Sequence, residues 1–297
     1  MVCIGSFLRR VRPHCLAAFS AIALAGCTAP ATPAAAVSSL SCNRVVLTGY
    51  WPPTNEMLRQ WSTNPQHNPG QWQGRNWRGL GYDVYSFFPE FPPDGDPVGD
   101  PIGSPGSVGS VGSDLQVDFQ ATSQDFWRIM DEHQPRVLIT TSRGGDIDWE
   151  LEAIEGGHSG AAESAKDRAD EDWRSDAYGP ITTPAQASVD PRSWQAITTY
   201  RNGVTLGSQL PLAEILTATQ ALQIANVEID QTGTSGNYLS GFMGLHGLFY
   251  NQQTPSNVAA GHIHVGKTTS VAVATQLMET TLATVLKSHP PIDCATR

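Results

Sequence analysis

Apolar runs of two lengths alternate along the chain. Short β-branched runs at Arg44–Thr48 (RVVLT), 136–141 (RVLITT), 226–230 and 261–265 (GHIHV) have the length and composition of buried strands. Longer segments with helical spacing lie between them. Phe126, Ile129, Met130 and His133 fall on one face of a helix expected to begin at Thr122, with Asp125 at capping-box spacing and Pro135 as the stop. Residues 212–225 place Leu212, Ile215, Leu216, Thr219 and Leu222 on one helical face; 239–250 is apolar and helical, and 270–286 reads as a final helix. This alternation predicts a three-layer α/β/α fold with a mainly parallel sheet, a single domain carrying long loop insertions. Ligand sites in such sheets gather at the carboxyl ends of strands.

Three segments fall outside this rhythm. Residues 50–81 are polar yet carry Trp51, Trp61, Trp72 and Trp77, half of the eight tryptophans. Such rings either fasten the segment to the domain or offer a stacking surface to a sugar or peptide. Residues 93–114 are a low-complexity Gly/Pro/Ser/Asp insertion, expected to be flexible, whose Asp94, Asp96 and Asp100 lack the calcium-loop pattern. Residues 28–41 have no charge and no apolar period and suit a tether.

Composition changes the picture at the amino end. Arg9, Arg10 and Arg12 precede an apolar run at 15–25 that is shorter than the ~20 residues a bilayer requires, so 1–26 reads as an export signal. Its end, Leu24-Ala25-Gly26-Cys27, resembles a bacterial lipobox, which implies a lipidated Cys27 as the first mature residue, with the domain at 42–297. The expected location is a bacterial cell envelope, lipid-anchored in the outer membrane and facing the periplasm. Loss of the leader takes the net charge from −10 to −13, and so acidic a chain argues against nucleic acid as a partner. With Cys3 and Cys15 removed and Cys27 acylated, Cys42 and Cys294 are left as a terminal pair suited to a disulfide in an oxidising compartment.

Three polar residues stand where an α/β fold places chemistry: Glu150 after the pair Gly144-Gly145, Ser240 at the start of a helix, and His264 at a strand end. A hydroxyl attacks an amide only when a base takes its proton, and a carboxylate keeps that base in the productive tautomer. A helix start adds free N–H groups for an oxyanion. His262 and His264 also form H-x-H on one strand face, which with His246 or His158 gives a zinc-site alternative.

The sequence around these residues resembles pyroglutamyl-peptidase I, the pyrrolidone-carboxylate peptidase family. Thr234-Ser235-Gly236-Asn237-Tyr238-Leu239-Ser240-Gly241 is similar to that family's S-A-G-T-[YF]-[LV]-C-N, and Gly261-His262-Ile263-His264-Val265 to its G-F-I-H-[VI]-P, at the family's own separation. Ile147-Asp148-Trp149-Glu150-Leu151-Glu152-Ala153-Ile154 resembles I-T-x-E-R-V-A-I, and Thr48-Gly49-Tyr50-Trp51-Pro52-Pro53 resembles T-G-F-x-P-F. The resemblance implies a cofactor-free peptidase acting on an N-terminal pyroglutamyl peptide or small amide. Ser240 stands at the nucleophile's place, His264 at the base's, and Glu150 at the orienting carboxylate's, or Glu152 if the glycine run is counted without a gap. Tyr50, Trp51, Gly144 and Gly145 border the ring pocket. The departures are specific: Ser240 replaces cysteine, Gly241 replaces asparagine, Asp146 replaces the arginine after the glycines, and Pro53 replaces a pocket phenylalanine. A family member without catalysis, binding peptide or glycan in the envelope, is the other expectation.

Overall fold

The computed structural model describes residues 41–50, 53–89, 114–115, 119–155, 205–233 and 239–294. The leader, Cys27, the tether up to residue 40, Trp51, His158 and residues 93–113 of the insertion lie outside these. No helix among the described residues is long and apolar enough to cross a membrane.

In chain order the strands are β1 (Arg44–Thr48), β2 (Asp83–Phe87), β3 (Val137–Arg143), β4 (Trp149–Glu152), β5 (Ile154–Glu155), β6 (Leu206–Gly207), β7 (Val227–Asp230) and β8 (Ala259–Val265). The helices are α1 (Thr54–Leu58), α2 (Phe119–His133), α3 (Leu212–Gln220), α4 (Leu239–Gln253) and α5 (Val271–Ser288). Six strands form one sheet in the order β2-β1-β3-β8-β4-β7, with β5 and β6 paired beside it. Every neighbouring pair in the large sheet is parallel except β8 with β4, which run antiparallel.

Both faces of the sheet are covered, which is why its central strands read as near-continuous apolar runs. Val45, Leu47, Val137, Ile139, Ile263 and Val265 point to one side and bury against α1, α3 and α5 through Leu58, Ile215, Leu277 and Leu282. Val46, Leu138 and Ala260 point to the other, under α2 and α4, against Phe126, Ile129, Phe242 and Leu245. The fold is the expected three-layer α/β sandwich with a mostly parallel sheet.

Local differences from the sequence reading have physical causes. Helix α2 starts at Phe119, so Thr122 is an interior helical residue whose hydroxyl is bonded to the Tyr50 hydroxyl at 2.6 Å instead of capping the helix. Helix α3 stops at Gln220, and in the turn that follows, where Gln223 has a left-handed φ of 56°, Leu222 and Ile224 are left exposed. Strand β2 and the strand character of 149–155 were not expected. Ser270 caps α5, accepting from the Val273 N–H.

The tryptophan-rich segment is fastened down. Trp61 and Trp77 are buried and meet edge-to-face, while Trp72 stacks on Tyr85 and donates its indole N–H to the Val84 carbonyl at 2.7 Å. These three rings pack the segment onto the domain.

Cys42 and Cys294 form a disulfide that closes a loop of 252 residues beside β1. Asn43 reinforces the junction, its side chain donating to the Ile292 carbonyl and accepting from the Ile292 N–H. Because the bridge removes freedom from the unfolded chain, replacing both cysteines by serine lowers unfolding free energy by roughly 2–5 kcal/mol. Urea unfolding of the oxidised wild type against the double variant, each with its own m-value, measures it.

Candidate active site

On the face beneath α4, the strands change character toward one end. Val46, Leu138 and Ala260 are in register across β1, β3 and β8, and two residues on come Thr48, Thr140 and His262, then Ser142 level with His264. Side chains alternate along a strand, so these polar groups share one face and form a polar patch continuous with an apolar core. The antiparallel strand β4 brings in the acids. Glu150 is paired with His264 and Leu151 with Ile263, which carries Glu152 one step further, on the same face as His262 and His264.

Ser240, in the first turn of α4, closes the patch from above. Its Oγ is hydrogen-bonded to His264 Nε2, and His264 Nδ1 to Glu152 Oε1 at 2.5 Å. The nearest Glu150 oxygen stays at 3.7 Å from His264 Nδ1, outside hydrogen-bonding distance. Of the two acids offered by the sequence, Glu150 first and Glu152 as its alternative, it is Glu152, the diagonal rather than the direct cross-strand neighbour, that is hydrogen-bonded to His264. The direct partner is too close to the edge: the Glu150 side chain is about one-fifth exposed, whereas Glu152 is sealed from water.

Burial governs the electrostatics. It pushes the Glu152 carboxyl up to about 7, against the lowering effect of its hydrogen bond to His264. Glu150 is raised above the usual carboxylate range by its own partial burial, with Asp230 and Glu228 on β7 adding to the rise and His264 opposing it. Complete burial holds His262 well below the ordinary histidine value, with His264 contributing, so that ring is neutral.

A second set of contacts was missed by the sequence reading. Ser142 Oγ lies 2.6 Å from Ser240 Oγ and 2.9 Å from His262 Nε2, and Thr140 Oγ1 lies 2.7 Å from His262 Nδ1. The period-two alternation of 138, 140 and 142 beside 260, 262 and 264 was the available signal. Both nitrogens of His262 are hydrogen-bonded to hydroxyls, and His262 is not in the cluster of metal-type ligands found among the described residues. His246 is elsewhere, bonded to Ser123 at 2.8 Å and to the Phe242 carbonyl between α2 and α4. Glu150, Glu152 and His264 are the group of three metal-type ligands among the described residues, with ligand atoms within 4.8 Å; their His264 nitrogen is engaged by Glu152.

The other expected site residues divide. Tyr50 is buried with its hydroxyl on Thr122, and Trp51 lies outside the described residues. Asp146 is exposed and pairs with Lys267 at 2.7 Å. Gly144 donates its N–H to the Val265 carbonyl at 2.7 Å, extending the β3–β8 ladder past the patch. A Cβ at Gly144 would sit 2.9 Å from the His264 Cβ, so only glycine lets this turn lie against the imidazole. Gly247 lies where α4 comes close to β3, a Cβ there falling 3.3 Å from Thr140 Cγ2.

The architecture so defined is a three-layer α/β fold with a polar patch at its strand ends, and it is the fold of a known class of peptidase. A mutant pyrrolidone carboxyl peptidase from the hyperthermophile Pyrococcus furiosus is similar to it at a TM-score of 0.52 and 13% identity, over 82% of this chain and 99% of that one. Pyroglutamyl peptidase I from Bacillus amyloliquefaciens is similar at a TM-score of 0.51 and 12% identity, over 84% of this chain and 100% of its own. No family model and no curated protein sequence matches the chain.

Substituting Gly144 by alanine displaces the β8 end or the His264 ring and lowers stability by about 1–3 kcal/mol, while Gly145→Ala, whose Cβ meets nothing within 4 Å, leaves it unchanged. Thermal unfolding of the two variants side by side checks the contrast.

Proposed function

We propose that this protein is a peptidase-type hydrolase that cleaves an N-terminal pyroglutamyl or related amide bond with Ser240 as nucleophile, His264 as base and Glu152 as the orienting carboxylate. The observation that carries this reading is the continuous hydrogen-bonded line from Ser240 Oγ through both nitrogens of His264 to a buried carboxyl. The fold similarity to pyrrolidone carboxyl peptidases supports it. The lipobox reading adds a place: an envelope lipoprotein tethered through Cys27.

In the reaction, Ser240 Oγ attacks the acyl carbonyl as its proton passes to His264 Nε2. Glu152 fixes the Nδ1–H tautomer and balances the imidazolium that forms. The carbonyl oxygen becomes an oxyanion, and the amide N–H groups at the start of α4, where Ser240 lies, are the donors that would receive it, since the first N–H groups of a helix have no partner within it. The imidazolium then protonates the departing amine. Water, deprotonated by His264, attacks the acyl-Ser240 ester and releases the acid.

The test is turnover of pyroglutamyl and unblocked peptide amides by the purified protein beside its Ser240→Ala and Ser240→Cys variants. Hydrolysis abolished in Ser240→Ala supports the mechanism, and unchanged hydrolysis there refutes it. Turnover by Ser240→Cys with none by the wild type indicates a pocket that has lost its chemistry.

Charge gives a second expectation. Catalysis requires Glu152 ionised with the His264 proton on Nδ1, and burial keeps an extra proton on Glu152 up to about pH 7, which turns the ring to its Nε2–H tautomer. The extra proton blocks Nε2, so kcat/KM rises with pH as it is lost, with an apparent pKa near 7. Glu152→Gln lowers kcat by roughly 10³–10⁴, as expected when an orienting carboxylate is removed, and Glu150→Gln by no more than about tenfold. Steady-state pH profiles of the three proteins measure both effects.

A further inference from the structure

The patch holds a second histidine that the hydrolytic mechanism leaves unused. His262 is fully buried and uncharged, with Thr140 Oγ1 at 2.7 Å from Nδ1 and Ser142 Oγ at 2.9 Å from Nε2. Ser142 in turn lies 2.6 Å from Ser240 Oγ. A buried neutral imidazole has one N–H to give and one lone pair to fill, and here a hydroxyl stands at each nitrogen, so the two bonds have opposite senses.

Which nitrogen donates follows from counting protons. His264 in its working form carries its proton on Nδ1, toward Glu152, so Nε2 accepts and the single Ser240 proton points to it. Ser240 Oγ has no proton left for Ser142, and two oxygens 2.6 Å apart need one between them, so Ser142 donates to Ser240. Ser142 then accepts from His262, which must carry its proton on Nε2. Nδ1 of His262 is left as an acceptor, filled by the Thr140 hydroxyl, whose other neighbour, the Gly261 carbonyl, is at 3.4 Å. One chain of donors results, from Thr140 through His262, Ser142, Ser240 and His264 to Glu152.

We propose that His262 and Ser142 are positioning residues that hold Ser240 in its attacking rotamer and stabilise its oxygen as it gives up its proton. The proposal rests on Ser240 being the nucleophile. A hydroxyl is far less acidic than a thiol, and charge gathers on its oxygen during attack. A hydrogen bond from Ser142, polarised by the His262 N–H behind it, strengthens as that charge grows, which is the property required of a rate-enhancing contact. A thiolate carries its charge before the attack and loses it as the new bond forms, so a hydrogen bond from the same pair does not strengthen on the way to the transition state.

Two measurements on the full chain test this. In ¹⁵N-resolved NMR of the imidazoles, His262 is expected as the Nε2–H tautomer and His264 as Nδ1–H near pH 8; a proton on His262 Nδ1 reverses the chain and overturns the proposal, whether or not the protein is an active hydrolase. The second is the labelling rate with a fluorophosphonate, in which Ser240 Oγ forms a bond to phosphorus, fluoride departs and the Ser240 proton goes to His264. Ser142→Ala and His262→Phe are expected to slow labelling of Ser240 roughly tenfold to 100-fold with folding, followed by thermal unfolding, retained. In the Ser240→Cys background, with iodoacetamide as the alkylating probe, the same substitutions are expected to change the rate by less than about threefold. Equal losses in both backgrounds overturn the proposal in favour of a purely structural pair. Absence of Ser240 labelling in the unmodified chain refutes the hydrolase reading, and the tautomer measurement still decides the chain of donors.

Discussion

The hydrogen bond between His264 and Glu152 is the constraint around which this end of the molecule is built. A carboxyl sealed from water under a helix is tolerated only with a partner, and a lone imidazole nitrogen supplies it. Meeting that requirement fixes several features at once. β4 must run antiparallel to β8, so that its two acids fall on the histidine face, and the turn at Gly144 must lie close enough to hold the ring from the side. Helix α4 must descend to the sheet, meeting β3 at Gly247, to bring Ser240 over Nε2. The apolar halves of the same strands anchor these elements, because the residues that carry the patch are spaced by two from Val46, Leu138 and Ala260 in the core.

The polar network is thus a continuation of the core. Thr140, Ser142, His262 and His264 are buried, and each finds its hydrogen bonds within the patch. Networks of this kind specify geometry when complete and destabilise when broken, so the positions around Ser240 depend on one another. The same low-water setting that raises Glu152 is what strengthens its hold on His264. The similarity in fold to pyrrolidone carboxyl peptidases, at 12–13% identity, shows how little of the sequence that layered scaffold requires.

The layers were legible in the sequence because burial on both faces leaves strands as plain apolar runs, and 44–48, 136–141 and 261–265 are such runs. Ser240 and His264 were legible through the residues beside them. The carboxylate was less so: Glu150 and Glu152 share a face with identical periodicity, and only the antiparallel register of β4 against β8 decides which reaches the imidazole. That register depends on contacts far apart in the chain, which local pattern does not carry. The contact of Ser142 with His262 was missed for the same reason: alternation within each strand gives the shared face, but their meeting depends on the pairing of β3 with β8. The start of α2 was misplaced because Thr122 has the chemistry of a cap but spends its hydroxyl on Tyr50.

The proposed mechanism requires Ser240 to carry the acyl group covalently for part of each cycle. Rapid acid quench of the protein with an activated pyroglutamyl ester, followed by peptide mass mapping, looks for that intermediate directly. One pyroglutamyl group on the peptide containing Ser240, formed more slowly in Glu152→Gln, is the expected result. Ester hydrolysis that proceeds with the acyl group on another residue, or at an undiminished rate in Ser240→Ala, would contradict it.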